Sequence, residues 1–163
     1  MLEHHFDKSV RRIVEPVVAP WGFTTGDGRG CTFHRQVQDD LFHFIHFSQR
    51  SSGIEFEVWV FPGTPLLGLE QWARFPDFVG VPTGQAAGLN AKLGVGGGAS
   101  RFPCRDSKVL DVALSRAAVP ALQIHARPYL ANFQSLKDLV PALEHPQWAS
   151  LLVPGQGGDR HGK

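Results

Sequence analysis

The chain has 163 residues, 42% of them hydrophobic and 19% charged, with a formal net charge of +1. That length and balance fit one globular domain with its own core and exclude a disordered chain. The small net charge builds no positive field for a nucleic-acid partner. Two cysteines, Cys31 and Cys104, without a Cys-x-x-Cys spacing, exclude a disulfide framework.

The first predicted element is a helix over 6–18. Phe6, Val10, Ile13, Val14 and Val17 share a face, and Asp7, Lys8, Arg11, Arg12 and Glu15 lie mostly elsewhere. Pro16 is expected to kink the last turn; Pro20 and Gly22 end the helix. Residues 26–30 read as a turn-forming loop. In 31–37, Cys31, Phe33 and Val37 alternate with Thr32, His34 and Gln36, and Gln38-Asp39-Asp40 make a hairpin turn. Residues 41–48 are almost wholly apolar and aromatic, as a central strand packed on both faces requires. After Ser51-Ser52-Gly53, residues 54–61 place Ile54, Phe56, Val58 and Val60 on one face and Glu55, Glu57, Trp59 and Phe61 on the other.

The segment 62–84 is rich in proline and glycine and carries Trp72, Phe75 and Phe78. It reads as an irregular insertion with one helical turn near 69–74. Residues 89–95 are a candidate fourth strand and 94–100 a flexible loop. A second helix starts at the N-cap Asp106 and runs towards His125, with Leu110, Leu114, Ala117 and Ala121 as its stripe. Pro120 is expected to kink or divide it. Residues 129–133 form a short apolar stretch. Ser135 caps a last helix bearing Leu136, Leu139, Val140 and Leu143. The expectation is one α+β domain over 1–153, an antiparallel sheet of about four strands packed by an N-terminal helix and C-terminal helices, with a flexible tail over 154–163. No apolar run resembles a signal peptide or approaches roughly 18 residues, so a cytoplasmic protein without membrane contact is expected.

In order along the chain come Pro16-Val17-Val18, Gly22-Phe23, Phe33-x-Arg35, the strand Phe42-His43-Phe44-Ile45-His46-Phe47, Phe56-x-Val58, and Ala126-Arg127-Pro128-Tyr129-Leu130-x-x-Phe133 followed by Leu136 and Leu139. This order resembles the DUF4304 family of mostly bacterial proteins, a domain of unknown function, over 6–143. The resemblance implies no catalytic residues. His46 and Trp59 stand where small polar amides are expected in that family, and Pro120 interrupts the long helix.

No metal is expected. His43 and His46 are three positions apart and point to opposite faces of a strand. His34 can neighbour His46 across the hairpin, but no cysteine or carboxylate is spaced to complete a set. His4 and His5 belong to a frayed helix end. No cofactor is expected either: Gly94-Val95-Gly96-Gly97-Gly98-Ala99 fits a dinucleotide-binding string, but Arg101-Phe102-Pro103 follows instead of a helix, and the Gly26–Gly30 loop lacks the Gly-Lys-Ser/Thr of a P-loop. Of the thiols, Cys104 has Arg101 and Arg105 beside it and precedes a helix, which lowers a thiol pKa; Cys31 reads as core. Asp39 and Asp40 belong to a turn, and Glu55 and Glu57 to a solvated strand face. Glutamates on the aromatic face also oppose RNA stacking there.

The candidate binding residues are Trp59, Trp72, Phe75, Phe78, His46 and Glu57. They suggest a non-enzymatic module, immunity- or adaptor-like, whose partner is another protein. The alternative is a small-molecule-binding protein or hydrolase with a pocket between the sheet and the 62–84 segment. A flat exposed aromatic patch favours the first reading, and a pocket bearing His46, Trp59 and Glu57 the second.

Overall fold

A computed structural model describes residues 2–25, 31–64, 66, 101–142 and 149–152. Helix α1 spans Leu2–Val18, starting earlier than predicted and continuing through Pro16. A 3-10 turn, Ala19–Trp21, follows, closed by Gly22 in the left-handed region. The strands are β1 (Thr24–Thr25), β2 (Thr32–Gln38), β3 (Leu41–Gln49), β4 (Glu55–Gly63) and β5 (Arg101–Pro103). They form one antiparallel sheet in the order β1-β2-β3-β4-β5. The fold is therefore α+β, with five strands where about four were expected.

The predicted meander is present. At the β2–β3 turn Asp40 has φ 62, a conformation that aspartate tolerates, and the pairing shifts by a bulge between Gln36 and Gln38. Strand β4 runs past its predicted end to Gly63, with Pro62 paired opposite His43. Ile54 lies just outside β4 and is exposed, not part of the core face. The calls on 26–30, 65, 67–100, 143–148 and 153–163, including Trp72, Phe75, Phe78, the 89–95 strand, Leu143 and the tail, lie outside the described residues.

One face of the sheet is covered by helices. Phe33, Ile45, Phe47, Phe56, Val58, Val60 and Phe102 pack with Phe6, Val10, Val14 and Val18 of α1. The second helical run adds Leu110, Ala113, Leu114, Ala118, Leu122, Ala126 and Leu130. That run opens with α2 (Ser107–Ala113), whose N-cap Asp106 accepts the Val109 N–H at 2.8 Å. It continues end to end through a π stretch (Leu114–Ala118), α3 (Val119–Ala121), a second π stretch (Leu122–Ala126) and α4 (Arg127–Leu130).

The π stretches explain how Pro120 is tolerated. A proline lacks an N–H and clashes with the carbonyl four residues back. Those carbonyls belong to Arg116 for Pro120 and Ile124 for Pro128, each inside a widened stretch. The widening also sets the buried face. Leu110, Leu114, Ala118, Leu122, Ala126 and Leu130 recur every fourth residue. At 3.6 residues per turn such a row would walk about 200° around a regular helix between its ends. Wider turns keep it on the sheet. Ala118 and Leu122 thus take the buried places, and the predicted Ala117 and Ala121 pack at the margin.

The predicted last helix is instead a 3-10 helix, Leu136–Ala142, stabilised by Asp138, whose carboxylate accepts the Gln134 and Ser135 N–H groups. With Leu41, Phe133 and Leu152 of the short helix α5 (Ala149–Leu152), Leu139 forms a second apolar cluster. No helix among the described residues is long and apolar enough to cross a membrane.

Candidate functional site

Two places gather polar side chains, at opposite ends of the helix-covered face. The first is closed. His43 on β3 is fully buried beside Arg35 of β2, its cross-strand partner. Its Nε2 lies 2.7 Å from the Phe133 carbonyl, and Arg35 Nε lies 3.2 Å from Nδ1. A guanidinium only donates and a carbonyl only accepts, so the imidazole carries its proton on Nε2 and accepts at Nδ1. Burial, reinforced by the Arg35 charge, pushes the His43 pKa down to about 4, against the opposing pull of the Phe133 carbonyl. Arg35 also donates to the Trp21 carbonyl at 2.6 Å, and its guanidinium sits 4.7 Å from the Phe23 ring centroid. Arg127 covers Trp21 in the same way, at 4.6 Å. Three chain segments are tied together here, and the named atoms satisfy one another.

The second place is open. A cleft of about 530 Å³ lies where β2 begins, beside the β3–β4 turn and α1. Phe6 and Phe47 give it an apolar floor; its polar lining includes Asp7, Cys31, His46, Ser48, Arg50 and Ser51. Cys31 accompanies Phe47, whose N–H bonds the Cys31 carbonyl at 2.8 Å, so its side chain leaves the sheet on the helix side. There its Sγ donates to Asp7 Oδ1 at 2.7 Å. His46 leaves on the other side, its Nδ1 2.7 Å from Thr32 Oγ1. Alternation along the strands thus separates the Cys31 thiol from the His46 imidazole, and the arrangement of an imidazole-activated thiol is not built.

Of the residues singled out from sequence, three come together. His46 and Trp59 are direct cross-strand partners on the outer face, and Glu57 shares that face opposite Ser48. Glu57 accepts ion pairs from Arg50 at 3.3 Å and Arg101 at 3.9 Å. It therefore holds the Arg50 guanidinium on the outer face of the sheet. Nearby, Phe44 and Phe61 stack at 5.3 Å and are buried, with Phe42 and Trp59 packed against them. His34 lies on this face too, 6.3 Å from the Phe44 ring, and burial lowers its pKa. As expected, His43 and His46 face opposite ways; among the described residues no group of three His, Cys, Asp or Glu side chains is placed to hold a metal.

The two thiols exchange the roles read from sequence. Cys104 is buried, and desolvation pushes its pKa up, aided by Glu55 and opposed by a Gln49 hydrogen bond. Cys31, half-buried just before β2, is the more accessible one. Sequence reasoning missed Asp7 and Cys31 as a pair. Each looked ordinary in its own element, and only the packing of α1 against the hairpin end brings them together. No protein-family model, curated protein or solved structure matches this chain.

Proposed function

We propose that this chain is a small-molecule-binding domain whose ligand occupies the cleft between α1 and the β3–β4 turn. The observation that carries this reading is the cleft itself. Its volume of about 530 Å³ falls within the range of small-ligand sites, and a few polar groups surround an apolar floor. The opposite faces taken by Cys31 and His46 favour binding without thiol catalysis. The protein-binding reading has its main support in Trp72, Phe75 and Phe78, outside the described residues. Among the described ones, Phe44 and Phe61 are buried, and the exposed large apolar residues are spread apart along the chain: Ile54 before β4, Leu66 beyond it, Val112 in α2 and Ile124 in the second π stretch, which offers little to a flat partner. The kinship with DUF4304 remains part of the proposal and adds no ligand.

The test is a thermal-shift screen of a metabolite library on the wild type and on Cys31→Trp, which fills the cleft from the wall that the thiol occupies, with Asp7→Trp as a second blocking variant. A ligand at about 100 times its Kd adds about 2.7 kcal/mol of stability. For a domain of this size that is a Tm rise of roughly 5–10 °C. The expected result is a stabiliser that acts on the wild type and not on the blocked variants. A library without stabilisers, or stabilisers that act equally on all three, overturns the reading.

A further inference from the structure

Independently of the cleft, we infer that Arg35 and Arg127, which meet at Trp21, hold a phosphate monoester at the rim of the closed end. Arg127 opens α4, is exposed, and lays its guanidinium over the Trp21 ring, 4.6 Å from the centroid. Arg35 reaches the same residue from β2: it donates to the Trp21 carbonyl at 2.6 Å and rests 4.7 Å from the Phe23 ring centroid. Both stand on the helix-covered side of the sheet, since Arg35 alternates with His34 and shares the side of Phe33, against which the helical run packs. The acceptors of this end are engaged, but its charge is not balanced. Among the described residues no carboxylate pairs with Arg35 or Arg127; the ion pairs there join Arg12 to Asp111, and Arg50 and Arg101 to Glu57. His43, neutral with Nδ1 turned to Arg35, supplies no negative charge. Burial and the Arg127 charge together hold the Arg35 pKa below the ordinary arginine value, as like charges without an acid between them do.

Two like charges brought to one tryptophan repel, and that repulsion opposes what the cation–π contact contributes. A neutral side chain at position 127 would cover Trp21 without it. An anion that sits against both guanidiniums turns the repulsion into attraction. The donors suit such a ligand. Arg127 makes no hydrogen bond through its guanidinium among the described residues, and Arg35 keeps the N–H groups that Trp21 and His43 leave over. The Trp21 and Phe23 rings hold the two guanidiniums in place, so little freedom is lost on binding. Charge and shape select the class. A carboxylate carries one charge on two coplanar oxygens, which a single guanidinium fork satisfies. A phosphate monoester near neutral pH carries close to two charges on three terminal oxygens, and these accept from two guanidiniums at once. A nucleic-acid backbone asks for a row of cations, and one pair of arginines does not make a row.

Nuclear magnetic resonance of the isotope-labelled full chain tests this, read at the Arg35 Nε–H and at the Gly22, Phe23 and Arg127 amide signals. At pH 7 and constant ionic strength, methyl phosphate is expected to shift them saturably, and acetate to bind at least about tenfold more weakly, the factor that one further charge-assisted hydrogen bond supplies. Lowering the pH to 5 leaves roughly a tenth of the monoester doubly charged, because its second pKa is about 6, and should weaken binding several-fold. His43, with a pKa of about 4, is still mostly neutral there, so the loss reports the ligand. Arg127→Gln should abolish binding, and Arg127→Lys, which keeps the charge without the fork, should bind between the two. The side chain at 127 is exposed, and unliganded melting curves verify that both variants fold. Glycerol 3-phosphate and a short phosphoserine peptide then separate a metabolite from a modified protein as the source, the tighter binder naming it. The inference is overturned if methyl phosphate moves the signals no more than chloride does, if acetate binds as tightly, or if Arg127→Gln binds unchanged; none of these results touches the reading of the cleft.

Discussion

The two ends of the helix-covered face treat polar side chains in opposite ways. At one end Arg35, His43 and the carbonyls of Trp21 and Phe133 saturate one another in a closed space. At the other, Asp7 stands at an open cavity, its carboxylate bonded to the Cys31 thiol. A buried polar group is retained when its partners are built in, and it then specifies which segments meet. A polar group beside an open cavity gives no such service, and its partner has to come from outside. The first arrangement is structural, the second receptive.

This contrast breaks most visibly through what lies between. Phe56 stacks on Phe102 at 5.1 Å and meets Phe6 edge-on at 5.4 Å, directly behind the cleft floor. Phe56→Ala is expected to cost about 3–5 kcal/mol. A denaturant melt with unchanged slope measures it; a loss under about 1 kcal/mol would mean that the hairpin end is not anchored to the core.

The closed end should respond to pH. His43 has a folded pKa of about 4 against an ordinary value of 6.5, so the unfolded chain takes up a proton first as pH falls. Its contribution is full above pH 6.5 and is lost progressively down to about pH 4, by roughly 3 kcal/mol in all. Carboxylates titrate in the same window, and Arg35 and Arg127 already place positive charge nearby. The informative quantity is therefore the wild-type stability minus that of His43→Leu, which should shrink between pH 7 and pH 4. A difference that stays constant would mean that His43 is not held neutral by the fold.

The two arginines offer a smaller, paired comparison. Arg35→Met keeps the aliphatic stem but removes the bonds to Trp21 and His43, and is expected to cost about 2 kcal/mol. Arg50→Met removes an exposed ion pair and should stay within about 0.5 kcal/mol. Chemical denaturation of both variants tests this. Equal losses would mean that the closed end gains nothing from its built-in partners.

How far these features were legible follows from their range along the chain. The apolar run in 41–48 and the alternation in 54–61 marked the two central strands, because a run of that length between turns, and eight residues of period two, are hard to mimic. Strands of two and three residues, β1 and β5, carry no period to read. The π widening was hidden because Pro120 announces a disturbance without saying whether the helix breaks or swells. Phe33-x-Arg35 and His43 stood out individually. Their joint role depends on the backbone carbonyls of Trp21 and Phe133, and Phe133 lies 90 positions from His43. Carbonyls have no sequence signature. The cleft was invisible for a related reason: Asp7 looked like a solvated helix residue, Cys31 like core, and Ser51-Ser52-Gly53 like a turn.

The thiols give the mildest test, with almost no cost in stability. Cys31 lines the cleft and Cys104 is buried among Gly53, Gln49 and the core. A thiol reacts as thiolate and only when reached; burial raises the Cys104 pKa and also blocks access. Native protein treated with iodoacetamide should therefore take up a single carbamidomethyl group, located on Cys31 by peptide mass spectrometry. Cys104 should follow only on unfolding. Cys31→Ser should remove native labelling while shifting stability by no more than about 0.5 kcal/mol. Adding a ligand that fills the cleft should slow labelling of Cys31 and leave Cys104 unchanged. Labelling of Cys104 before Cys31 would mean that the thiol beside Asp7 is shut off from solvent, and the contrast between a closed and an open end would fall with it.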